Sequence, residues 1–68
     1  MKNNIRVERA IKRMTQQQLA EKTGVTRQTI NAIEAGKYVP STVLSLKISA
    51  VFGKKLEEVF QLEEADWQ

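Results

Sequence analysis

Sixty-eight residues, with eleven Lys and Arg against eight Asp and Glu and a net charge of +3, allow one small domain. The chain contains no cysteine and no histidine, which removes a disulfide framework, thiolate metal sites and the commonest general base. Its longest apolar run, Ala50-Val51-Phe52, is too short for a membrane span or a signal-peptide core, so the cytoplasm is the expected compartment.

Residues 1–4 are polar, and Asn3 or Asn4 is suited to cap a first helix. Val7, Ala10, Ile11 and Met14 then recur at i, i+3, i+4 and i+7, which predicts a helix with those four side chains inward. Arg6, Arg9, Lys12 and Arg13 make this helix strongly basic.

Residues 15–36 read TQQQLAEKTGVTRQTINAIEAG, two short helical patterns around a glycine. Thr15 followed by Gln18 is a capping-box pair, in which the hydroxyl accepts from an orphan N–H and the amide reaches back. Leu19, Ala20 and Thr23 share one face, and Gly24 supplies the positive φ needed to leave the helix sharply. Val25 anchors the turn and Thr26 caps the second helix. There Ile30 and Ile33 form the buried stripe. At about 100° per residue, Gln28, Asn31, Ala32 and Ala35 fall opposite it, with Arg27 at the border. Gly36 ends the pattern.

Val39 before Pro40 is pushed to an extended conformation, which predicts a loop, and Ser41 caps a fourth helix with the stripe Leu44, Ile48, Val51 and Phe52. After Gly53, a short fifth helix carries Leu56, Val59 and Phe60, with Glu57 and Glu58 in its favourable first turn and Lys55 as a poor cap. The tail Gln61–Gln68 reads as coil, short strand or interface; Leu62 and Trp67 are apolar. All eleven basic residues lie in residues 1–55 with only Glu8, Glu21 and Glu34, a local charge of +8, whereas residues 56–68 carry −5. A basic body with an acidic tail fits polyanion binding on one face, and equally a solubilised last helix.

Two helices and a glycine turn also describe an ordinary helical hairpin. Three details favour a helix-turn-helix. Ala20 is small where a crossing helix must approach, the exposed face carries amide and guanidinium groups, and Ala32 and Ala35 keep that face shallow. TQQQLAEKTGVTRQTINAIEAGKYVPS and LKISAVFGKKLEEVF, in order and at the expected distances, resemble the lambda-repressor-like (Xre-type, Cro/repressor) helix-turn-helix family across about residues 5–62, most closely its small stand-alone members. The resemblance implies an all-α, compact five-helix DNA-binding domain over residues 1–68. Its helix-turn-helix spans 15–36, a dimerisation segment spans about 54–68, and the termini either pair as a two-stranded sheet or do not. The resemblance also implies an ion pair between Arg9 and Glu34. The family carries an apolar residue where Glu8 stands, and sometimes a larger polar one where Ala32 stands.

The implied function is a sequence-specific regulator, most simply a repressor bound as a homodimer to a palindromic operator. The alternative is an antitoxin-type protein-interaction module with secondary DNA binding. Gln28 and Asn31 are suited to adenine edges, and Arg27 either to guanine or to a phosphate. Gln16 matches a family glutamine that bonds a phosphate; Gln17, Thr26, Thr29, Lys37 and Tyr38 are further backbone candidates, the Tyr38 ring having helix four as an alternative. Leu56, Val59, Phe60, Leu62 and Trp67 are candidates for a dimer interface, the first helix-five residues serving equally to close the monomer core. No catalytic set, metal cluster, cofactor or small-molecule ligand is indicated, and the expected partners are double-stranded DNA in its major groove and a second copy of the chain.

Overall fold

In the computed structural model, which describes residues 1–68, helix boundaries fall where the capping side chains sit. Strand β1 (Lys2–Asn3) leads into α1 (Ile5–Lys12), α2 (Gln16–Thr23), α3 (Arg27–Glu34), α4 (Thr42–Phe52) and α5 (Leu56–Val59), then strand β2 (Phe60–Gln61) and a single 3-10 turn over Glu64–Trp67. Thr15 caps α2 through its hydroxyl, 3.0 Å from the Gln18 N–H, while Gln18 Oε1 accepts from the Thr15 N–H at 2.8 Å. Ser41 caps α4 in the same way, accepting from the Leu44 N–H at 3.1 Å. Lys55 provides no side-chain cap to α5; instead Glu58 Oε1 takes the Lys55 N–H at 2.9 Å.

The five helices enclose one core built from Ile5, Leu19, Ala20, Ile30, Ile33, Leu44, Ile48, Phe52, Val59 and Phe60. Helix α2 packs on both α3 and α4, so the core lies behind the helical pair. Ser45 and Ser49 are buried on α4, each hydroxyl donating to the carbonyl four residues earlier, which removes the cost of an unpaired polar group. The terminal segments pair antiparallel, Lys2 opposite Gln61 and Asn3 opposite Phe60. Asn3 also donates from Nδ2 to the Ile33 carbonyl at 2.9 Å, tying this ribbon to the end of α3.

Helix α1 departs from its sequence pattern. Val7 and Ile11, predicted inward, are 57% and 68% exposed, Ala10 is exposed too, and Met14 is only half-buried. Ile5 and Glu8 face the core instead. This rotation puts positions 5, 8 and 9 on one side, leaves 7 and 11 outside, and is compatible with the Arg9–Glu34 contact to α3 and with the burial of Ile5. Glu8 is therefore left only 8% exposed, with no ion pair or side-chain hydrogen bond. The helix ends at Arg13, which adopts left-handed backbone (φ +52°), where a residue with a Cβ is strained.

Both positions are expected to be improvable. Glu8→Leu and Arg13→Gly should each stabilise the fold by about 1 kcal/mol, raising the melting temperature by roughly 4–8 °C. Unchanged or lowered thermal melts would contradict the account of α1.

Candidate nucleic-acid interface

The turn between α2 and α3 closes on one carbonyl: the N–H groups of Gly24 and Val25 both donate to Ala20, at 2.9 and 3.0 Å. Gly24 takes φ +78°, which a glycine adopts without strain. Val25 packs against the core, and Thr26 caps α3 by accepting from the Thr29 N–H at 3.2 Å, the two hydroxyls lying 3.0 Å apart. With Ile30 and Ile33 fixed inward, Arg27, Gln28, Asn31 and Ala35 are all exposed on the opposite face, and Ala32 sits half-buried at its edge. Gln17, Thr26, Lys37 and Tyr38 are exposed, Thr29 half-buried. Arg6 and Arg9 approach a carboxylate within 4 Å, whereas Arg27 and Lys37 form no ion pair and keep their charge available to a polyanion.

Glu34 closes the helical pair. Its side chain is 1% exposed and receives Arg9 Nε at 2.7 Å on one oxygen and Arg9 Nη2 at 3.0 Å on the other, a two-point contact of the expected strong kind. Arg9 Nη1 spans further to the Met14 carbonyl at 3.0 Å, and Arg6 Nε stands 3.6 Å from Glu34. Burial pushes the Glu34 carboxyl up, but the hydrogen bonds from Arg9 and Gln16 and the charges of Arg9 and Arg6 outweigh it, holding it below the usual carboxylate range. A negative charge on α3 is thus neutralised before it can repel phosphate. Gln16, expected at a phosphate, donates from Nε2 both to Glu34 Oε1 and to Asn31 Oδ1, each at 3.3 Å.

A second surface involves the chain termini, the α3–α4 loop and α5. Val59 and Phe60, candidates for interface and core alike, are buried in the monomer core, and Phe60 also borders the groove described next. Leu56, Leu62 and Trp67 remain exposed, Trp67 at 77%. A groove of about 460 Å³ runs beside Leu56 and Leu62, lined also by Met1, Val39, Pro40 and Phe60. Val43 and Leu46 on the outer face of α4 are exposed and were missed as candidates. Their signal was present: two apolar residues lying off the buried stripe.

A tight glycine turn, two short packed helices and an outward Arg/Gln/Asn face define a helix-turn-helix DNA-binding fold. A helix-turn-helix family profile matches residues 5–59. The chain is 52% identical over 64 residues to an uncharacterized HTH-type transcriptional regulator of Methanocaldococcus jannaschii, covering 94% of this chain and 97% of that one. It is 53% identical over 64 residues to the uncharacterized HTH-type transcriptional regulator YgzD of Bacillus subtilis, with the same two coverages, 94% and 97%. A third such regulator, from Archaeoglobus fulgidus, is 44% identical over 69 residues, covering 100% of this chain and 97% of its own. The chain belongs to the lambda-repressor-like helix-turn-helix family, a class of DNA-binding transcription regulators.

Arg9→Ala leaves Glu34 buried without its partner and should cost about 3 kcal/mol. The Glu34 carboxyl is depressed in the folded state, so its contribution is present above the unfolded carboxyl range and is lost as pH falls through the lowered folded value. The gap in melting temperature between wild type and variant should be widest near neutrality and narrow below about pH 4. A gap independent of pH would contradict the role assigned to the pair.

Proposed function

We propose that the chain is a sequence-specific double-stranded DNA-binding regulator, acting in the cytoplasm as a repressor that occludes a promoter. The observation that carries this reading is the exposed row of Arg27, Gln28 and Asn31 on α3, set opposite the buried Ile30 and Ile33. In the major groove, Gln28 makes the paired contact with adenine, a reading its exposure on α3 supports, and Arg27, at the N-terminus of α3, reaches either a guanine or the adjacent phosphate. Gln17, Thr26, Thr29, Lys37 and Tyr38 flank the row and serve the backbone.

One α3 of eight residues is about 12 Å long and covers only three or four base pairs, too few to specify a genomic site. We propose that two copies act together on a palindromic operator, their α3 helices about 34 Å apart. The seam is built on the apolar groove with Leu56 and Leu62, and the exposed Trp67, Val43 and Leu46 are further candidates for it. Burying these side chains against a second copy removes several of the large exposed apolar groups from water.

Gln28→Ala should change the preferred base at one position of each half-site without altering the melting temperature. Lys37→Ala should weaken binding to every sequence alike and reduce the salt slope by about one. The reverse assignment of these two effects would sink the reading of the face. Sedimentation at micromolar concentration is expected to show a dimer that Leu56→Glu dissociates; monomer alone in the wild type would remove the seam.

A further inference from the structure

The polar contacts at the α2–α3 corner form a directed chain. Glu34 is a carboxylate and can only accept; Oε1 takes Arg9 Nη2 at 3.0 Å and Gln16 Nε2 at 3.3 Å. Turned the other way, the Gln16 amide would set its oxygen against that carboxylate, so the acid determines which end of the amide faces it. The second N–H of Gln16 then falls on Asn31 Oδ1 at 3.3 Å, and an Asn31 amino group there would oppose another amino group. Asn31 therefore keeps its oxygen toward α2 and sends its Nδ2 amino group outward, on the exposed face of α3. In this arrangement Gln16 Nε2 serves both Glu34 and Asn31.

We propose that Gln16 is a positioning residue that sets the polarity of Asn31, so that Asn31 reads its base as a hydrogen-bond donor. The proposal rests on the DNA-reading function above. A base edge offering acceptors, guanine N7 and O6 foremost, matches the outward amino group. Cytosine, whose major-groove polar group is the N4 donor, opposes it. The ion pair that holds α1 to α3 thereby reaches the base through two amides.

The test is selection of bound duplexes from a random pool, carried out with wild type, Asn31→Ala, Asn31→Asp and Gln16→Met. Gln16 lies at the edge of α2 outside the core, and thermal melts establish that each variant is folded. Asn31→Ala identifies the base position served by Asn31. In the wild type, cytosine should be depleted there about tenfold. Gln16→Met, which keeps length and loses the amide, should abolish that depletion at this position and leave all others unchanged. Asn31→Asp keeps an acceptor for Gln16 and presents a second one outward, and should turn depletion of cytosine into enrichment. Three results overturn the proposal: Gln16→Met weakening all sequences alike with preferences intact, Asn31→Ala altering no position, or Asn31→Asp leaving cytosine depleted. A wild type that enriches no sequence at all overturns the DNA-reading function itself, a distinguishable failure.

Discussion

The contact between Arg9 and Glu34 organises this small chain. Ten core side chains bury limited surface, and a domain of this length holds little stability in reserve. A two-point ion pair joining residues 25 positions apart is therefore more than an ornament of the surface. It fastens α1 to α3 and neutralises a carboxylate on the candidate reading helix. Glu8 shares with Ile5 the i, i+3 face that α1 turns inward, with Arg9 at its edge.

The same contact separates what was legible in the residues from what was not. Capping at Thr15, Thr26 and Ser41 involves partners three residues away, so helix starts are local information and match the structure. The glycine turn is equally local, and the outward face of α3 follows directly from Ile30 and Ile33. Helix α1 is different. Val7, Ala10, Ile11 and Met14 satisfy helical spacing fully, yet the helix is turned away from them, a phase compatible with the Arg9–Glu34 contact and with the burial of Ile5. Periodicity alone cannot represent that. The resemblance to the family did carry the ion pair.

The termini show a similar division. Lys2–Asn3 and Phe60–Gln61 pair across nearly the whole chain, a long-range choice that short polar segments do not announce. Val59 and Phe60 read from spacing as suited to core or seam; both join the core, and Phe60 borders the groove as well. The candidate reading face was legible nearly residue by residue. The engagement of Gln16 was not, since amide contacts between helices depend on rotamers that sequence spacing does not determine.

Charge and shape agree on where DNA would lie: the basic residues precede the acidic tail, and the free donors of Arg27, Gln28 and Asn31 lie on one side of α3. The most direct measurement is the affinity of the wild-type chain for a duplex selected from a random pool and for a scrambled duplex of the same composition, both at physiological salt. The account predicts at least about a thousandfold preference for the selected duplex. Equal affinities for the two would contradict it.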